Sequence, residues 1–175
     1  WGIFPAGALA WRISEEEFMK DKTPISNLKV RISYGEAGNN RIASDLWLRS
    51  YAISNNRTYG MGDVSNPYYA PASSLLVNPD LKWETTVTRN SGIDFGIFKD
   101  RLSGTLDIYW NTTKDLLVES DIPSYLGYSK QMRNIGQTSN KGIELTLNSA
   151  IVRKKDFSLN ASFNIGFNNS NIDKL

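Results

Sequence analysis

The sequence predicts an all-β protein: an antiparallel sheet of about six long strands. Three observations carry that prediction. Apolar and polar residues alternate strictly over long runs, the connections alternate between short and long, and no stretch has the sustained helical period of a packed helix.

The first segment, residues 2–13, places Ile3, Leu9, Trp11 and Ile13 on one parity and the small Ala6, Ala8 and Ala10 on the other. Residues 14–27 then form a link. Ser14 followed by Glu15, Glu16 and Glu17 predicts one or two helical turns capped by Ser14, since acids favour the first turn. In residues 28–34, Val30, Ile32 and Tyr34 oppose Lys29, Arg31 and Ser33. A long loop spans 35–84, bounded by the turn signals Gly38-Asn39-Asn40 and Asn78-Pro79-Asp80, with room for a short strand near 46–53.

In residues 90–98, Ile93, Phe95 and Ile97 oppose Asn90, Gly92, Asp94 and Gly96. Lys99-Asp100 reads as a tight hairpin into 101–111, where Leu102, Leu106, Ile108 and Trp110 oppose Arg101, Ser103, Thr105, Asp107 and Tyr109. A second long loop covers 119–139. In residues 142–152, Ile143, Leu145, Leu147 and Ile151 oppose Glu144, Thr146 and Asn148. Gly136 and Gly142 need only backbone freedom there. Lys154-Lys155 is the next tight turn. In residues 157–168, Phe157, Leu159, Ala161, Phe163, Ile165 and Phe167 oppose a face made of Ser, Asn and Gly.

Composition narrows the possibilities. The 175 residues carry 20 Lys+Arg against 18 Asp+Glu, which gives no electrostatic basis for binding nucleic acid. There is no Cys and no His, so disulfides, thiolate metal sites and histidine chemistry are absent, and no cofactor is expected. The chain starts at Trp1 and its last residues continue a strand-like run, so it reads as an internal section, 1–175, of a longer protein.

One apolar face fits a soluble β-sandwich or a membrane β-barrel. Three features favour the barrel. The strands run to about ten residues, where soluble strands average roughly five or six and a tilted membrane strand needs ~9–11. The polar face is rich in Asn and opposite charges. Aromatics gather near strand ends at Trp11, Trp83, Phe98, Tyr109 and Trp110. On this reading Phe157, Leu159, Phe163, Ile165 and Phe167 face lipid, and Asp94, Asp107, Glu144, Arg101 and Arg31, with Lys29, form a polar network in the lumen. Asp94 and Asp107 lie near enough in the pattern to suggest a glycosidase pair, but no nucleophile turn accompanies them, so the expectation is no enzyme. In the 35–84 loop, Trp47, Tyr51, Tyr59, Tyr68 and Tyr69 offer faces that suit sugar rings. They serve equally to pack the loop on itself or on a lid protein.

Four phrases recur in order: NLKVRISYGEAGN (27–39), NPDLKWETT (78–86), NSGIDFGIFKDRLSGTLDIYWNTTKDLL (90–117) and NIGQTSNKGIELTL (134–147). Together they resemble the C-terminal half of the SusC/RagA family of TonB-dependent outer-membrane transporters of Bacteroidetes-type bacteria. The resemblance implies a 22-stranded barrel in the cell outer membrane, in contact with lipid and lipopolysaccharide. It implies a plug inside, a TonB complex supplying energy, a SusD-like lipoprotein as lid, and oligosaccharide or peptide cargo. It places the tight turns in the periplasm and the long loops outside. A passive or adhesive barrel without TonB coupling shares the strand features.

Overall fold

The computed structural model describes residues 2–19, 24–40, 46, 48–61, 64–71 and 73–175, with only the backbone described for 54–61, 64–71 and 126. Among the described residues lie nine strands: β1 (Ala6–Arg12), β2 (Ile25–Asn39), β3 (Tyr51–Met61), β4 (Val64–Pro71), β5 (Leu75–Leu76), β6 (Glu84–Ile97), β7 (Leu102–Asp121), β8 (Lys130–Arg153) and β9 (Ser158–Lys174). All six anticipated strands form. They pair antiparallel in the order β1-β2-β6-β7-β8-β9. The sheet is open, with β1 and β9 at its edges.

The strands are longer than the alternation alone indicated. β7 runs on to Asp121 and β8 starts at Lys130, so the second long connection shrinks to residues 122–129. Beyond Thr113 the ladder continues through register shifts, with Asp115 in the left-handed region at φ 56°. Periodicity fails at such a bulge because the extra residue flips the parity. The first long connection holds its own hairpin, β3–β4, and the two-residue β5, which pairs parallel with Lys130 and Gln131 of β8. The strand expected near 46–53 therefore begins at Tyr51 instead.

Three turn readings are corrected. Lys99-Asp100 is not a two-residue hairpin: residues 98–101 form the turn, and Phe98, Lys99 and Asp100 all have positive φ of 54°, 57° and 60°. Such conformations cost on the order of 1–3 kcal/mol each outside glycine. Hydrogen bonds offset this: Phe98 N–H donates to the Pro24 carbonyl at 2.9 Å, and Asp100 N–H to Ser26 Oγ at 3.0 Å. The second tight turn covers 154–157, so Phe157 precedes β9 instead of lying in it; its carbonyl accepts from Lys154 N–H at 2.8 Å. Among the described residues of the 14–27 link, a 3-10 turn spans Ile13–Glu15, and Ser14 does not cap it. Trp11 Nε1 donates to Glu16 Oε1 at 2.8 Å, and this ties the link back to β1.

The described residues build one layer at the main sheet, with little interior. Val87 is the only hydrophobic residue among them that is buried, at 3% exposure. Leu9, Trp11, Ile32, Ile93, Ile108, Trp110, Ile143, Phe163, Ile165 and Phe167 all stay exposed on one face. A soluble sandwich buries that face under a second sheet; here no described element covers it.

Candidate functional site

Strand register assembles the polar face into rows. The central row runs Ala10, Arg31, Gly92, Asp107, Glu144 and Gly166 across β1, β2, β6, β7, β8 and β9. The next row toward the tight turns runs Arg12, Lys29, Asp94, Thr105, Thr146 and Asn164. Arg31 joins the two rows. Its Nε and Nη2 donate to Asp94 Oδ2 and Oδ1 at 3.0 and 2.9 Å, and Nη2 also reaches Asp107 Oδ1 at 2.9 Å. Lys29 lies 4.0 Å from Asp94.

The contact with Asp107 crosses a whole strand, because β6 lies between β2 and β7. Gly92 makes the crossing possible. A Cβ there would sit 2.3 Å from Asp107 Oδ1 and 2.8 Å from Arg31 Nη2. Both carboxylates of the suggested glycosidase pair are thus taken up by one guanidinium. Glu144 lies opposite Asp107 in register but makes no ion pair among the described residues. Arg101 is not part of this network: it sits in the 98–101 turn, exposed, and its carbonyl accepts from Ala150 N–H at 2.7 Å.

A second crossing lies farther toward the long connections. The Tyr109 ring covers Gly142 of β8, and its hydroxyl donates to Asn168 Oδ1 of β9 at 3.3 Å. A Cβ at Gly142 would stand 2.5 Å from the Tyr109 hydroxyl and 2.5 Å from the Phe167 carbonyl oxygen. Gly142 therefore supplies space in mid-strand rather than backbone freedom. The isolated glycines opposite polar or aromatic residues were the available signal, since a strand glycine often marks close approach.

The 78–84 segment is held by a clamp that pattern reading did not single out. Asn134 Oδ1 accepts from Lys82 N–H at 2.9 Å, and its Nδ2 donates to the Lys82 and Asp115 carbonyls at 2.9 and 2.7 Å. Asn78 Nδ2 donates to the Met132 carbonyl at 3.0 Å, and Glu84 Oε1 accepts from Leu117 N–H at 3.1 Å. Trp83 stacks on Phe4 with ring centroids 5.8 Å apart. These contacts fix the base of the first long connection against β7 and β8.

Of the loop aromatics, Tyr51 is exposed and opens β3 opposite Pro71. Tyr69 stands opposite Ile53, Tyr68 opposite Ser54 and Tyr59 opposite Asn66 in backbone register. Trp47 lies outside the described residues. Arg49 hydrogen-bonds Tyr51, which raises the guanidinium further above its usual range. At the far end of the β7–β8 ribbon, Lys130 donates to Glu119, and this holds the ammonium above the ordinary lysine range.

A family model described as the TonB-dependent receptor-like β-barrel matches residues 1–174. The TonB-dependent receptor SusC of Bacteroides thetaiotaomicron is 39% identical over the whole chain, which covers 17% of that relative. The TonB-dependent receptor P39 of Formosa agariphila is also 39% identical over the whole chain, which covers 16% of it. Among solved structures, the RagAB peptide importer in its open-open state superposes on 98% of the chain with a TM-score of 0.81 at 29% identity; the chain covers 18% of it. The chain thus spans about one sixth of the length of the curated relatives it matches. Sequence phrases and relatives agree: the chain is similar to SusC/RagA proteins and belongs to the TonB-dependent receptor-like β-barrel family.

Proposed function

We propose that residues 1–175 form one section of the wall of a 22-stranded, TonB-dependent importer in the cell outer membrane. The apolar face contacts lipid and the polar face lines the lumen. The turns at 98–101 and 154–157 lie in the periplasm, and the connections at 40–83 and 122–129 lie outside. The observation that carries this reading is the uncovered apolar band. It runs from Leu102 to Trp110 along β7, a length that matches the ~9–11 residues a tilted strand needs to cross hydrocarbon. The Arg31, Asp94 and Asp107 network belongs on the wet side, where ion pairs and hydrogen bonds are tolerated.

The cargo is a nutrient oligomer, an oligosaccharide or a peptide. It is taken up with a SusD-like lipoprotein over the outer loops, and TonB acts through the plug and N-terminal part of the parent protein. Tyr51 and Trp47, with Tyr59, Tyr68 and Tyr69, are the loop residues proposed to meet cargo or lid. The test is twofold. Disrupting the parent gene should abolish growth on one oligomeric nutrient and leave growth on its monomer intact. In the full-length protein, Trp47→Ala with Tyr51→Ala should weaken oligomer affinity at least about tenfold, or about 1.4 kcal/mol. Unchanged affinity refutes the aromatic contact, and unchanged growth refutes import.

A further inference from the structure

The outer rim of the apolar face carries cations where the rest of that face is apolar. One row across the sheet reads Tyr34, Arg89, Trp110, Lys141 and Asn169. The row beneath it reads Ile32, Ser91, Ile108, Ile143 and Phe167. A groove runs across both rows on β7, β8 and β9, lined by Ile108, Trp110, Ile143 and Phe167, with Lys141 and Asn169 at its outer end. On the other side of Trp110, the Arg89 guanidinium lies 5.4 Å from the ring centroid, and Nη1 donates to Thr112 Oγ1 at 3.4 Å. Neither Arg89 nor Lys141 has an ion-pair partner among the described residues.

The acids on this face lie in rows farther out and are engaged elsewhere. Glu36 accepts from the Tyr34 hydroxyl, and Asp173 accepts from Gln137 Nε2 and Ser139 Oγ. Two unneutralised cations thus flank one indole at the head of an apolar groove. Long basic side chains at such a border reach toward headgroups. A groove of this shape beside them adds room for an alkyl chain, so the complementary ligand is anionic at one end and apolar along its length.

We propose that this rim is a binding site for a phosphorylated, acylated glycolipid of the outer leaflet. One acyl chain lies against Ile108, Ile143 and Phe167, and a phosphate sits between Lys141 and Arg89. The proposal rests on the reading that the apolar face contacts lipid.

The test uses the full-length parent protein in neutral detergent, with bound lipids counted by native mass spectrometry. The probes are bisphosphorylated lipid A, its dephosphorylated form, and phosphatidylcholine. The wild type should retain bisphosphorylated lipid A in preference to both others. Arg89→Gln with Lys141→Gln should cut that retention roughly thirtyfold, at about 1 kcal/mol per cation, and leave phosphatidylcholine unchanged. Ile143→Trp, which fills the groove and keeps both charges, should also reduce it. Inorganic phosphate at millimolar concentration should not displace the lipid. Equal retention by the double variant, equal retention of phosphatidylcholine, or displacement by inorganic phosphate overturns the site. A parent protein that fractionates outside the outer membrane overturns the wall reading too; a membrane-embedded one without lipid preference overturns the site alone.

Discussion

Gly92 and Gly142 each admit a side chain from a neighbouring strand, yet their substitution should have different consequences. At Gly92 the atoms in the way are the tips of Arg31 and Asp107, which can swing aside. The loss is then one ion pair between groups 37% and 36% exposed, worth about 0–1 kcal/mol in water. At Gly142 one obstacle is the Phe167 carbonyl oxygen, part of the β8–β9 ladder. Backbone cannot give way without breaking pairing, so Gly142→Ala should cost about 1–3 kcal/mol, the range for overpacking. Urea unfolding of the full-length protein in lipid vesicles would check this. Equal costs at the two positions would mean that the Arg31 bridge is rigid or the ladder compliant. Alternation placed Arg31, Asp94 and Asp107 on one face. It could not tell that Arg31 would pair across Gly92, or that Arg101 would be lost to the turn, because parity carries no information about reach.

The strands display the apolar band as elements. Phe163 lies opposite Leu147 and Asn164 opposite Thr146, so neighbours in sequence look to opposite faces. Phe163→Arg should cost ~2–4 kcal/mol, as a cation facing mid-bilayer does. Asn164→Arg, on the polar face at the β9 end of the Lys29 and Asp94 row, should cost well under half of that. The same vesicle unfolding measures both, and equal costs would remove the membrane from the argument. The six strands were legible because each keeps period two over many residues. The β3–β4 hairpin was not, beyond the short strand expected near 46–53, since polar stretches such as 54–58 show no apolar face to read. The outer extensions of β7 and β8 escaped for a different reason: the bulge at Asp115 flips the parity, so no single alternation runs through it.

At the scale of the whole molecule, the sheet has two open edges and an apolar face that none of its described residues covers. Unpaired backbone groups at an edge have no partner in lipid. In water, the same edges and face invite association. The isolated 175-residue chain should therefore need detergent to stay dispersed, which light scattering after gel filtration would measure. A monodisperse, detergent-free monomer would instead favour a closed soluble fold.

The sequence by itself determined the strand faces, the number of long strands in the main sheet and the family, because alternation and local phrases are properties of contiguous residues. The tertiary structure alone decided the register. Register is set by ladder pairing between segments far apart in the chain, as Ile25 with Ile97 in β2 and β6, and a slip of one residue would reverse every face. It put Arg31 in line with Asp107, Tyr109 over Gly142, Asn134 under Lys82, and Arg89 and Lys141 on either side of Trp110.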